Sequence, residues 1–160
     1  MIDETNTIAQ ARDHIRPLLK KGTTCPCCSQ PVKMYSRPIT ASMAYGLILI
    51  FNTHKQEWVH LESFFKSITS ISPSIRADIP KLRFWFLIEP KEGEKTDGNP
   101  NNGYYRLTDK GKAFVEGTTL TNSHVNLYNN QFYGIPKNAR QIDIRDALKT
   151  KFIYSEIIGK

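Results

Sequence analysis

Apolar residues at Ile75, Ile79 and Leu82 fall at i, i+4 and i+7, the spacing of one helical face. Phe86-Leu87-Ile88 is then a short apolar run stopped by Pro90, which suits a strand. Residues 91–103 hold three Gly together with Asn99, Pro100, Asn101 and Asn102, and read as a polar hairpin tip. Tyr104 to Leu107 is the returning strand, and Thr108 is placed to cap a helix over 109–116. Upstream, Thr40 can cap a helix whose Met43, Leu47, Ile50 and Phe51 repeat at near-helical spacing, ending near Asn52. Residues 56–60 predict a short strand with Trp58 pointing inward. Residues 61–68 predict a second helix that buries Leu61, Phe64, Phe65 and Ile68.

The third helix meets an obstacle. Ser72-Pro73 is a good start, with Ser at the N-cap and Pro at the first helical position. Pro80 then falls inside the pattern, where a mid-helix Pro costs about 3 kcal/mol. Either the helix kinks there, or a new one begins near Asp78 with Asp78 capping it. Helix, strand, long polar tip, strand and helix together make the second half of a winged helix. The fold expected is therefore α+β: an N-terminal segment over 1–37, a winged helix-turn-helix core over 38–118, and an extension over 119–160. The first segment includes a helix over 9–20 that Pro17 interrupts. The extension alternates at 124–128, turns at Asn129-Asn130 and returns at 131–135, a β-hairpin. Ile142 and Ile144 suggest a further strand, 145–149 a short helix, and 152–158 an apolar closing segment.

Tyr105-Arg-Leu-Thr-Asp-Lys-Gly-Lys112 resembles the wing strand and following helix start of MarR-like regulators. More closely, the chain is similar to a group of phage-encoded winged-helix proteins with an N-terminal Cys-Pro-x-Cys knuckle. The residues that carry this likeness are Cys25-Pro26-Cys27-Cys28, Leu87-Ile88-Glu89 and Tyr128-Asn129-Asn130, and it spans about residues 25 to 158. The resemblance implies a fold, and a host-cell cytoplasm as the place of action. It implies little about biochemistry.

Charge narrows the partners. The chain of 160 residues carries a net +7 and a pI near 9.4, which favours a polyanion, chiefly double-stranded DNA. Between Asp13 and Glu57 lie Arg16, Lys20, Lys21, Lys33, Arg37 and Lys55 with no acidic residue among them. A second basic block runs from Lys66 to Arg83. Ser74, Arg76, Lys81 and Arg83 are the candidates to meet a DNA groove, with Lys110 and Lys112 reaching backbone phosphates at a helix start. The longest apolar run, 44–51, is too short to span a bilayer, so no membrane is expected.

Three cysteines within four residues do not make a disulfide framework and suit a reducing cytoplasm. Cys25 and Cys28 have the spacing of half a zinc ribbon, with Cys27 between them. Structural zinc takes four ligands, and no second Cys-x-x-Cys follows. Cys27, one of His14, His54, His60 and His124, or another chain would complete a structural Zn²⁺ shell, and His60 and His124 are the better placed. Reduced thiols in a turn without metal are the alternative. No catalytic motif stands out: His60-Leu-Glu62 has the letters of a deaminase signature, but the cysteines precede it at the wrong spacing. The expectation is a non-enzymatic DNA-binding protein regulating transcription or replication. The rival is an interaction protein that engages a host protein through the aromatic residues of 128–133 and 152–158. The appended hairpin and helix could also hold a homodimer.

Overall fold

Thr7, Thr40, Thr108 and Asp143 each sit in extended backbone, and each side chain accepts the amide N–H three residues on, from Gln10, Met43, Gly111 and Asp146. Each satisfies an amide that has no partner inside its helix. The computed structural model describes residues 3–68, 71–93 and 102–160, and its fold is α+β. In chain order the elements are α1 (Ile8–Ile15), β1 (Thr23–Thr24), β2 (Pro31–Val32), β3 (Tyr35–Pro38), α2 (Ala41–His54), β4 (Val59–His60), α3 (Leu61–Lys66), α4 (Pro73–Asp78), β5 (Ile88–Pro90), β6 (Tyr104–Leu107), α5 (Asp109–Val115), β7 (Thr121–Asn122), β8 (His124–Tyr128), β9 (Gln131–Phe132), β10 (Gln141–Ile142), α6 (Ile144–Leu148) and α7 (Tyr154–Ile157). Short 3₁₀ helices follow α1 at Arg16–Leu18 and α4 at Ile79–Trp85.

The chain divides into two compact units: Met1–Arg37 with His124–Lys137, and Pro38–Ser123 with Asn138–Lys160. Residues 119–160 do not stay together: their hairpin joins the first unit and the remainder joins the second.

In the first unit, α1 ends at Ile15 and Pro17 opens the 3₁₀ turn, where its missing N–H breaks no helical bond. Strands β3, β8 and β9 form a sheet in that order, and Asn129 and Asn130 make the β8–β9 turn with φ of 49° and 57°. Two consecutive positive φ values are what a tight two-residue hairpin needs, and Asn tolerates them.

In the second unit, α2 is apolar almost all round because it packs on α4 and its 3₁₀ extension, on α5 and on α6. Met43, Leu47, Ile48, Phe65, Ile79, Leu82, Trp85 and Phe114 are fully buried there. The three-stranded antiparallel sheet has the order β4–β6–β5, with Val59 opposite Tyr105 and Ile88 opposite Leu107. Tyr105 and Leu107 face the core, while Tyr104 and Arg106 face out. Trp58 departs from expectation. Val59 takes the buried position of β4, and Trp58 lies half-buried beneath the Arg106 guanidinium, 4.5 Å from the ring centre. The fully buried indole is Trp85, whose Nε1 donates to the Asn122 carbonyl at 2.7 Å. Ile144 also departs: it opens α6, capped by Asp143, and does not extend β10.

Candidate nucleic-acid interface

The Pro80 obstacle is resolved by a change of helix type. α4 stops at Asp78, and the next seven residues wind as a 3₁₀ helix with Pro80 in its first turn. Asp78 does not cap this turn with its side chain; its carboxylate accepts from Lys81 Nζ at 2.6 Å. The 3₁₀ helix ends at Phe86 in left-handed backbone, φ 60° and ψ 26°.

The six basic or polar candidates separate by what already holds them. Ser74 is exposed and shares a hydrogen bond with the Ser72 hydroxyl. Arg76 is half-buried, and its guanidinium has no hydrogen bond or ion pair among the described residues. Lys81 pairs with Asp78, and Arg83 donates to the Pro80 carbonyl at 3.0 Å while lying over the Phe84 ring. Lys112 pairs with Glu116 one turn along α5. Lys110 donates to the Trp85 carbonyl at 3.0 Å, and burial holds its ammonium below the ordinary lysine pKa. Arg76 is thus the cation of this set best placed to meet an outside anion.

Around Arg76 lies a cavity of about 460 Å³, whose lining includes Glu62, Lys66, Pro73, Ala77, Pro80 and Tyr105. It opens beside α3, α4 and β6, the elements the sequence assigns to the helix pair and the wing. Of the expected tip over 91–103, residues 94–101 fall outside the described residues. Two further cations lie outside the six candidates. Arg106 and Lys91 both lie over Trp58, Arg106 also pairing with Glu89 across the β5–β6 ladder. The outward alternation of β6 is the signal that would have found Arg106.

The Leu-Thr-Asp-Lys-Gly stretch proves to be a clamp on one turn. Thr108 donates its hydroxyl to the Phe86 carbonyl at 2.6 Å and its amide to the Leu87 carbonyl at 3.1 Å. Lys110 holds the carbonyl of Trp85, and Gly111 lets the helix approach Leu87. Three adjacent carbonyls at the exit of the 3₁₀ helix are fixed by one helix start.

The cysteine knuckle belongs to the first unit. β1 and β2 pair across it, the Cys25 amide donates to the Gln30 carbonyl, and the Ser29 amide donates back to the Cys25 carbonyl. Ser29 turns the chain with φ 60°. The backbone amides of Cys27 and then Cys28 are directed at the Cys25 sulfur and hold its thiol below the ordinary range. Loss of hydration within the turn and the neighbouring Cys25 push the Cys27 thiol up. This is a turn shaped for thiolate, but a tetrahedral zinc shell needs four donors. His124 opens β8 in the same unit, whereas His60 is in the second unit, its Nδ1 accepting the Ser63 amide as the N-cap of α3. No group of three or more His, Cys, Asp or Glu that could hold a metal occurs among the described residues.

The closing segment is engaged by its own unit. Phe152 stacks on Tyr45 at 4.3 Å, the Tyr154 hydroxyl donates to the Val115 carbonyl, and Asn52 holds the Ile157 carbonyl and the Gly159 amide. Among the described residues, no helix is long and apolar enough to cross a membrane. Comparison with family models, curated proteins and solved structures finds no match to this chain.

Proposed function

We propose that the second unit is a winged-helix module and that the chain is a non-enzymatic protein that binds double-stranded DNA to regulate transcription or replication. The observation that carries this reading is the order α2–β4–α3–α4–β5–β6 closed by a sheet running β4–β6–β5. In that order α3 and α4 form a helix pair and β5–β6 a hairpin beside it, the parts a winged helix brings to DNA. The basic balance of the chain and the unpaired guanidinium of Arg76 support the same reading. Arg76 and Ser74 would meet the groove, with Lys66, paired to Glu62, and Lys81, paired to Asp78, near phosphates.

The test is anisotropy of a labelled 30-base-pair duplex against the full chain across a salt series. Affinity is expected to fall steeply with salt, and Arg76→Ala to weaken binding and flatten the slope by about 1. Absence of binding at low salt, or binding indifferent to both salt and Arg76→Ala, overturns the reading.

A further inference from the structure

A cavity of about 330 Å³ lies within the first unit, and its lining includes none of the residues assigned above to DNA. One wall is Arg12, Ile15, Arg16 and Leu19, from α1 and the turn that follows it. The other is Tyr128, Asn129, Gln131 and Tyr133, from the β8–β9 hairpin. The volume is at the lower end of the roughly 300–1,000 Å³ typical of small-molecule sites.

The lining is chemically selective. Arg12 and Arg16 are four residues apart, so their side chains share one face of the helical segment. The Arg12 guanidinium has no hydrogen bond or ion pair among the described residues. Arg16 pairs with Asp13 at 3.1 Å, but both side chains are about 70% exposed, and such a pair exchanges readily for a better anion. Among the described residues, no carboxylate lines the cavity. Tyr128 and Tyr133 meet edge to face, ring centres 5.6 Å apart and planes at 89°, leaving aromatic surface turned to the cavity. The buried side chains of Ile15 and Leu19 form an apolar floor. Asn129 and Gln131 add carboxamides, which can donate and accept side by side as a base edge requires.

Forked cations, a π surface and paired amide groups in one small concavity match a phosphate joined to a planar heterocycle. A bare anion would leave the rings unused, and an apolar ligand would leave the Arg12 guanidinium unanswered. We infer that this cavity is a nucleotide site: Arg12 and Arg16 hold the phosphate, Tyr133 and Tyr128 pack against the base, and Asn129 and Gln131 bond its edge. The nucleotide is either a free mononucleotide or an unpaired nucleotide of a strand; the two share this chemistry.

Calorimetric titration of the full chain distinguishes these. The probes are AMP and TMP, their nucleosides, inorganic phosphate, and a 5′-phosphorylated ten-residue oligothymidylate. A mononucleotide should bind at least about tenfold tighter than either its nucleoside or phosphate, because stacking and phosphate contacts add. Arg12→Ala and Tyr133→Ala should each weaken it about tenfold, and Arg76→Ala should leave it unchanged. Both positions are exposed, and Arg12→Glu is a second variant at a site that does not build the core. An oligonucleotide that binds more than about tenfold tighter than TMP, with the same dependence on Arg12, identifies a strand as the source; equal affinity identifies the free nucleotide. Nucleotide binding no tighter than phosphate, or insensitive to Arg12→Glu and Tyr133→Ala in folded protein, overturns the inference. So does oligonucleotide binding lost only in Arg76→Ala.

Discussion

A Cβ placed on Gly111 would stand 1.9 Å from the carbonyl oxygen of Leu87. The neighbour is backbone, held by the Thr108 amide, and cannot swing aside as a side-chain end would. Gly111→Ala must therefore push α5 off the strand entrance. The expected loss is about 2–3 kcal/mol, the scale of overpacking in a tight site, read from urea unfolding. A change within 0.5 kcal/mol would show that the helix start floats, and that the clamp on residues 85–87 is not rigid.

Phe86 carries the opposite prediction. Its φ of 60° puts a bulky residue in left-handed backbone while its side chain stays 58% exposed. Glycine relieves this conformation at a gain on the order of 1 kcal/mol. Phe86→Gly should raise the melting midpoint. A lower midpoint would mean that the ring's own contacts outweigh the backbone strain.

Lys110 and Arg76 should separate stability from binding. Lys110 caps the Trp85 carbonyl, so Lys110→Ala is expected to cost about 1 kcal/mol of stability, while Arg76→Ala stays within about 0.5 kcal/mol of wild type. The pH dependence has a definite sign. Burial lowers the folded-state pKa of Lys110, so just below the ordinary lysine value the unfolded chain holds more protons. Stability relative to Lys110→Met should therefore rise with pH through that window. Parallel pH profiles for the two proteins would show the group to be hydrated.

The cysteines should react in a fixed order. With its thiol held low by the amides of Cys27 and Cys28, Cys25 carries more thiolate at a given pH than Cys27, whose thiol is raised. After chelator treatment, iodoacetamide labelling followed by mass spectrometry should place the pH midpoint of Cys25 below that of Cys27. The reverse order would show that the turn opens in solution.

The parts of the fold legible in the residues were those with a long period or a cap of their own. α2 and α5 announce themselves through apolar spacing and through Thr40 and Thr108, and β6 through strict alternation. The side Trp58 takes was not legible, because a two-residue strand is too short for alternation to fix its phase. The position of Lys110 and Lys112 at a helix start is visible in a sequence. The Trp85 carbonyl and the Glu116 carboxylate that they meet are not. The Arg12–Tyr133 cavity was hidden for a related reason: its two walls are more than a hundred residues apart. The hairpin's membership of the first unit depends on the same kind of distant pairing.

Where the chain leaves the second unit after β7 and returns before β10, the two ends are already tied together. Asn122 pairs with Gln141, the Ser123 amide donates to the Arg140 carbonyl at 2.7 Å, and the Arg140 amide donates to the Ser123 hydroxyl. That knot is a stem, and the hairpin is an excursion beyond it. A few flexible residues joining Ser123 to Asn138 would span the gap that the stem closes, so residues 38–123 and 138–160 form a cassette that can be made without its passenger. The same geometry lets the passenger be exchanged or lengthened while the cassette keeps its register.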